Sequence, residues 1–130
     1  MKNDKLIIQA RSTRDFSYSP YSKFPVGAAV EMESGKVFTG TNIENASYGL
    51  TICAERVAIF NAISQGESRI KRIAVSCPPT EGSANSLMPC GACRQVISEF
   101  STPSTIIIVD GVGEFKINDL LPQAFEICYK

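Results

Sequence analysis

Two groups of residues, far apart in the sequence, contain the side-chain types of a catalytic zinc site. They are Cys53-Ala54-Glu55 and Pro89-Cys90-Gly91-Ala92-Cys93. Three cysteines are the right number of protein ligands for a tetrahedral zinc ion that keeps its fourth position open for water. A carboxylate two residues from one ligand can move that water's proton. Because the chain has no histidine, any catalytic zinc here must be held by thiolates.

The two cysteines of Cys90-x-x-Cys93, taken alone, are also typical of a structural zinc knuckle or of a redox pair. Cys77 would then supply a fourth thiolate and close the site. Cys77 is predicted to end a strand, however, whereas the other three cysteines are predicted to open helices. The presence of Glu55 and Pro89 beside the ligands therefore favours a catalytic zinc over a structural one.

Arg56 lies three residues after Cys53 and so on the same face of the predicted helix. Three thiolates on one zinc ion leave the complex about one unit negative, and this charge makes bound water harder to ionise. An arginine that donates to the sulfurs withdraws charge and restores the acidity of the metal. We predict this role for Arg56.

The composition limits the class of protein. A chain of 130 residues is expected to form one domain spanning 1–130. Thirteen basic residues balance thirteen acidic ones, which argues against nucleic acid or an anionic membrane as the main partner. No apolar run reaches the roughly 20 residues that span a bilayer.

The cysteine count and the N-terminal residues indicate a cytoplasmic protein. Five cysteines are an odd number, which suits a reducing compartment better than a disulfide framework. Residues 1–5 lack the apolar core and the cleavage site of a signal peptide. Cys128, near the C-terminus, is interpreted as a buried apolar residue.

Hydrophobic periodicity and turn residues predict how the zinc motifs are positioned. Helices are expected over residues 4–14, from Thr51 as N-cap to Gly66, and from Pro89 to Phe100. Strands are expected over residues 26–32, 37–40, 72–77, 105–110 and 114–117. A hairpin followed by strands that alternate with helices predicts an α/β sandwich with a mixed sheet.

With these motifs in place, the chain resembles the small homotetrameric cytidine deaminases of the three-cysteine zinc type. The resemblance covers nearly the whole sequence and the zinc constellation matches the general zinc-deaminase signature. Four segments carry it, in order: residues 18–29 (YSPYSKFPVGAA), 39–48 (TGTNIENASY), 51–56 (TICAER) and 89–95 (PCGACRQ). It implies a three-layer α/β/α sandwich with a mixed five-stranded sheet.

The resemblance also implies a reaction: zinc-dependent hydrolysis of cytidine and 2′-deoxycytidine to uridine and 2′-deoxyuridine plus ammonia, in pyrimidine salvage. Cys53, Cys90 and Cys93 would hold one zinc ion per subunit. Glu55 would take the proton of the zinc water and deliver it to ring N3 and then to the departing ammonia. Its carboxylate must lie near the metal without binding it, since binding would occupy the proton-accepting oxygens.

Substrate contacts follow from the same resemblance. Asn42 and Glu44 would hold the ribose 3′-hydroxyl, Phe24 would pack on the pyrimidine, and the Ala54 backbone N–H would bind its carbonyl. Without the resemblance, Asn42 and Glu44 would be interpreted as an Asx-type turn at a strand end and Phe24 as a core residue.

Further residues are implied to act across subunit boundaries of a homotetramer with shared active sites. Ala46 and Tyr48 match a segment that reaches into a neighbouring site, and Phe125 matches an aromatic residue that closes over a base. Gln95 is interpreted as a residue supporting the metal ligands, and Arg94 as either such a residue or a solvated helix charge.

The chain departs from the family pattern next to the second zinc motif. Met88 stands where these enzymes commonly carry a small hydroxyl residue, and the loop 78–87 is longer and more polar than usual. Loops of this length are often functional. A deaminase for a modified cytosine nucleoside, or for a cytosine nucleoside antibiotic of the blasticidin S type, is therefore an alternative.

Two further alternatives concern other classes of protein. A non-catalytic zinc-binding module would have a closed four-cysteine site and could contact RNA. The neutral charge and the lack of tryptophan disfavour it. An RNA- or DNA-editing deaminase would need a basic groove, which the sequence does not indicate.

Overall fold

The computed structural model describes residues 2–128. Four α-helices and five strands follow one another along the chain, and we number each type in order. They are α1 Lys2–Thr13, β1 Gly27–Met32, β2 Val37–Thr41, α2 Ala54–Ser64, β3 Ile70–Ser76, α3 Gly91–Phe100, β4 Ser101–Val109, β5 Gly113–Lys116 and α4 Ile117–Leu120. Short 3-10 turns lie at Arg14–Phe16, Tyr48–Leu50 and Ala84–Leu87.

The five strands form one mixed sheet in the order β2-β1-β3-β4-β5. The β3–β4 pair is parallel and the other three pairs are antiparallel. The hairpin of β1 and β2 turns at Gly35, whose φ of +92° suits a residue without a Cβ. The predicted mixed five-stranded sheet is confirmed.

Helices cover both faces of the sheet. On one face α1 contributes Leu6 and Ala10 to a small apolar cluster with Ala29, Ala74 and Ile108. On the other face α2 and α3 pack on a larger core, which takes the alternate residues of the strands, such as Ala28, Val30 and Met32 of β1. The predicted three-layer α/β/α sandwich is confirmed.

Helix α2 lies very close to β2. A Cβ added to Gly40 would stand 2.4 Å from the backbone nitrogen of Ala58 and 2.8 Å from the carbonyl oxygen of Ala54. Glycine is therefore needed at this point for the helix to reach the sheet. The contact fixes the first turn of α2, which carries part of the predicted zinc site.

The predicted N-cap of α2 is wrong by two residues. Thr51 is not the N-cap, because its hydroxyl accepts a hydrogen bond from the Asn45 backbone N–H at 3.1 Å. Ile52 remains extended and exchanges backbone hydrogen bonds with Ile43. The N-cap is Cys53.

The start of α3 also differs from the prediction. Cys90 is its N-cap and Gly91 its first helical residue, so Pro89 lies in the preceding loop and not at the helix start. Among residues 2–128, none of the helices combines the length and the apolar character needed to cross a membrane.

Candidate active site

The three sulfur atoms predicted to bind zinc lie together. The Sγ of Cys90 is 3.9 Å from that of Cys53 and 3.4 Å from that of Cys93. All three Sγ atoms lie within 4.8 Å of one another. Ligands at the usual Zn–S distance of about 2.3 Å on a tetrahedral ion stand about 3.8 Å apart. The cluster therefore fits a zinc ion with three thiolate ligands.

Two helices begin at this cluster. Cys53 is the N-cap of α2, Cys90 is the N-cap of α3, and Cys93 is the third residue of α3. The Cys93 backbone N–H donates to Cys90 Sγ at 3.5 Å. Free N–H groups and the positive end of a helix dipole favour a thiolate over a thiol. The local structure therefore prepares the cysteines to bind a cation.

Hydrogen bonding within the cluster separates the thiol pKa values. The pKa of Cys53 falls to about 5, chiefly because the Cys93 thiol donates to its sulfur, with a further contribution from Arg56. The pKa of Cys93 rises, because its proton is held by Cys53 and because the side chain is buried. Cys53 is therefore the sulfur on which negative charge collects first.

Arg56 makes the contact that its position in the sequence predicted. Its Nη2 donates to Cys53 Sγ at 3.4 Å. Its Nε is buried and makes no hydrogen bond within residues 2–128. The guanidinium thus lies against the thiolate cluster and offsets part of its negative charge.

Glu55 is the second residue of α2 and is only 4% exposed. Burial, together with the nearby Cys53 thiolate, raises the pKa of its carboxyl group to about 7. In the part of the chain that the structure describes, the close group of metal-ligand atoms contains the three cysteines and not Glu55. Its carboxylate is therefore near the cluster without being one of its ligands.

A cavity of about 390 Å³ opens beside the sulfur cluster. Four of the predicted substrate-binding residues line it together with Glu55 and two of the three cluster cysteines: Phe24, Asn42, Glu44, Ala54, Cys53 and Cys90. Cavities of this size are typical of small-molecule sites. Ser86, Leu87 and Met88 form another part of its wall, which places the unusual 78–88 segment at the site.

The Asn42 side chain ties the cavity wall to β2. Its Nδ2 donates to the Phe24 carbonyl at 2.8 Å, and its Oδ1 accepts from the Val26 N–H at 2.9 Å and from the Ser17 hydroxyl. An amide oxygen has two lone pairs and an amide nitrogen has two hydrogens. Asn42 therefore keeps one N–H free to donate towards the cavity.

Glu44 organises the loop on the same side of the cavity. Its Oε1 accepts from the backbone N–H groups of Tyr21 and Ser22 at 3.0 and 3.1 Å, and its Oε2 accepts from the Ser22 hydroxyl. The bond from the Ser22 hydroxyl lowers the pKa of the Glu44 carboxyl group below its usual value. An ionised carboxylate has about four acceptor sites, so Oε2 keeps one of them.

Four predicted residues lie outside this cavity. Ala46 and Tyr48 line a neighbouring depression, and Tyr48 is 89% exposed. Phe125 is 70% exposed and lies with Gln95 in a separate depression, where Gln95 Nε2 donates to the Phe125 carbonyl at 3.2 Å. The roles assigned to these residues stay predictions.

The remaining cysteines are placed away from the metal cluster. The Cys77 thiol lines the cavity and donates to the Leu87 carbonyl at 3.9 Å, and burial raises its pKa to about 11. Cys77 is not part of the three-sulfur group. Cys128 is exposed, so its interpretation as a buried residue was wrong.

Sequence reasoning missed one contributor to the site and left another undecided. Ser22 is the hydroxyl partner of Glu44 and lines the cavity, but serine in a polar loop carries no distinguishing signal. Arg94 donates from Nε to the Pro89 carbonyl and from Nη1 to the Leu120 carbonyl, both at 2.8 Å. In the sequence, only the position of Arg94 next to Cys93 indicated a role at the site.

Comparison with known proteins agrees with the geometry. Residues 1–109 match the model of the cytidine and deoxycytidylate deaminase zinc-binding region. The chain belongs to this family. A cytidine deaminase of Sporosarcina psychrophila is 46% identical over 129 residues, which cover 96% of this chain and 92% of the relative. One of Halalkalibacterium halodurans is 43% identical, over 96% of this chain and 95% of the relative.

Solved structures of family members have the same fold. The cytidine deaminase of Burkholderia pseudomallei superposes with a TM-score of 0.86 at 43% identity, covering 96% of this chain and all of that one. The Mycobacterium tuberculosis enzyme superposes with a TM-score of 0.84 at 37% identity, covering 98% and 99% of the two chains. The α/β fold predicted from the sequence is that of the family.

Loss of any one cluster cysteine should remove stoichiometric zinc. Replacing Cys53, Cys90 or Cys93 by Ser exchanges a soft thiolate for a hydroxyl that is a poor zinc ligand. Metal analysis of the purified proteins should give about one zinc per chain for the wild type and clearly less for each variant. Cys77→Ala is the control and should keep its zinc. Zinc loss in the control would instead indicate a closed four-cysteine site.

Proposed function

We propose that this protein catalyses the zinc-dependent hydrolytic deamination of cytidine and 2′-deoxycytidine. Water adds at ring C4, the bond from C4 to the amino nitrogen breaks, and uridine or 2′-deoxyuridine and ammonia leave. The observation that carries the proposal is the shared cavity. On one side of the cavity lie the three-thiolate cluster and a buried carboxylate outside the group of metal ligands. On the other side lies a wall suited to a nucleoside.

Cys53, Cys90 and Cys93 would hold the zinc ion. Zinc held by three protein ligands supplies a Lewis acid that makes a water molecule ionisable near neutral pH. Arg56, which donates to Cys53 Sγ, offsets the charge of the thiolates and so preserves that acidity.

Glu55 would act as the proton carrier. Its carboxylate accepts one proton from the attacking water and delivers it to ring N3. It then carries the second proton, from the new hydroxyl group on C4, to the departing amine as the C4–N bond breaks. Two features support this role: the side chain lines the cavity, and it lies outside the group of metal ligands. Its burial also excludes bulk water, which would compete for the same proton.

The first turn of α2 would also orient the base. Ala54 is the first residue of the helix, so its N–H has no acceptor one turn earlier in α2. This N–H would donate to the pyrimidine carbonyl. Phe24, in the cavity wall, would pack on the ring.

Asn42 and Glu44 would bind the ribose 3′-hydroxyl. After their bonds to the protein are counted, Asn42 keeps one donor and Glu44 keeps one acceptor. A hydroxyl group needs one of each, since it donates one hydrogen and accepts through its oxygen. The hydrogen bonds that shape the wall thus hold both groups in place before substrate arrives.

We further propose a cytoplasmic homotetramer that serves pyrimidine salvage. Ala46, Tyr48 and Phe125 would reach the active sites of neighbouring subunits. The exposure of Tyr48 and Phe125 on this chain supports the assignment, because large aromatic side chains at a surface are typical of interfaces.

A second candidate function is deamination of a cytosine nucleoside antibiotic or of a modified cytosine nucleoside. It is favoured by the position of Met88 and its preceding residues in the cavity wall. The Asn42 and Glu44 pair favours an ordinary ribose. A competition assay between cytidine and a cytosine nucleoside antibiotic distinguishes the two, because the preferred substrate suppresses turnover of the other.

Glu55→Gln should abolish most activity while zinc remains bound. The amide keeps the size of the side chain but cannot accept the proton, so turnover should fall by about 10²–10⁴-fold. Turnover is followed by the ultraviolet change as cytosine becomes uracil, with metal analysis on the same sample. Glu67→Gln alters a half-buried carboxylate that accepts from Ser34 and does not line the cavity, so its turnover should match the wild type. Full activity in Glu55→Gln would overturn the assignment of the proton carrier.

Glu44→Gln should reduce activity only towards substrates with a 3′-hydroxyl. Loss of one charged hydrogen bond should lower kcat/KM for cytidine and 2′-deoxycytidine by about 10- to 100-fold. For 2′,3′-dideoxycytidine, which lacks that hydroxyl, wild type and variant should be equal within about twofold. An equal loss with all three substrates would mean that Glu44 acts only through the loop at Tyr21 and Ser22.

A further inference from the structure

Arg94 holds two consecutive carbonyl groups beside a metal ligand. Its Nε donates to the Pro89 carbonyl at 2.8 Å, and its backbone N–H donates to the Cys90 carbonyl at 3.0 Å. The peptide groups on both sides of the Cys90 Cα are therefore bound by one residue. Because the extended conformation of Cys90 sets the direction of its side chain, these two bonds control where its Sγ lies.

The same guanidinium is anchored at a second point in the fold. Its Nη1 donates to the carbonyl of Leu120, the last residue of α4, at 2.8 Å. A planar guanidinium presents its donors in fixed directions, so bonds to two carbonyls restrict it far more than one does. Arg94 thereby joins the segment before α3 to α4, across 26 residues of sequence.

Arg94 differs from Arg56 in how it reaches the metal site. Arg56 donates directly to a ligand sulfur, whereas the side-chain bonds of Arg94 go to backbone carbonyls. Its effect must therefore pass through the conformation of the chain and not through the charge on the thiolates.

We propose that Arg94 is a positioning residue for the metal centre: its guanidinium fixes Cys90 Sγ by holding the Pro89 carbonyl and tying it to α4, next to the first helical backbone bond of α3 at the Cys90 carbonyl. The inference rests on the three cysteines being zinc ligands. It does not depend on which nucleoside the enzyme deaminates.

The test is the rate at which zinc passes from the loaded protein to an excess of a colorimetric chelator. Arg94→Gln removes the guanidinium. Arg94→Lys keeps the positive charge, but its single ammonium group cannot span the Pro89 and Leu120 carbonyls. Arg69→Gln is the matched control, because Arg69 also donates from Nη1 to a carbonyl of α3, that of Glu99, at the end away from the metal.

Supporting residues of metal ligands typically change metal affinity by about 10- to 100-fold, so Arg94→Gln should release zinc at least about tenfold faster than wild type. Arg94→Lys should be intermediate and Arg69→Gln unchanged. In cobalt-substituted protein, the visible d–d bands of Arg94→Gln should shift, whereas a variant that is only less stable keeps the wild-type spectrum.

The inference would be overturned if Arg94→Gln released zinc at the same rate as Arg69→Gln and its cobalt spectrum were unchanged. If Arg94→Gln does not fold by circular dichroism, Arg94→Lys decides by the same two measurements. A wild type that binds no zinc would instead refute the metal assignment itself, so the two failures are distinct.

Discussion

The convergence of two helix N-termini on three sulfur atoms is the constraint on which the rest of this structure depends. Three thiolates place negative charge in a partly buried site. Burying that charge costs free energy unless positive groups lie next to it. The caps of α2 and α3 supply free N–H groups, and Arg56 supplies a guanidinium. The close approach of α2 to β2 at Gly40 holds one of these helix ends at the required place.

Four consecutive residues at the start of α2 serve four different purposes. Cys53 is a ligand and the helix cap, Ala54 presents a backbone N–H, Glu55 presents a carboxylate to the cavity, and Arg56 turns back to the sulfur. A helix turn spreads successive side chains by about 100°, so neighbouring residues point in different directions from one point. This explains how so short a segment brings a thiolate of the metal cluster, a carboxylate and a free backbone N–H to one cavity.

The nucleoside side of the cavity depends on polar groups that also build the wall. Asn42 and Glu44 bind the chain between Ser17 and Val26, and each retains one free site for a hydroxyl group. A binding group already held by the fold loses little freedom when ligand arrives. Because the same residues also bind the loop, substrates lacking the hydroxyl are needed to separate the two roles.

Sequence alone predicted the three-cysteine group, the carboxylate beside it and the mixed sheet, since cysteine spacing, the absence of histidine and local hydrophobic periodicity are properties of neighbouring residues. It misplaced the start of α2, because within the β2–α2 connection the Thr51 hydroxyl accepts from the Asn45 N–H and Ile52 pairs with Ile43. It also left Arg94 undecided, because the carbonyl of Leu120 is 26 residues away. Only the tertiary structure decided these points, because a polar side chain takes whichever partner the fold brings within reach, and that choice is not encoded in local spacing.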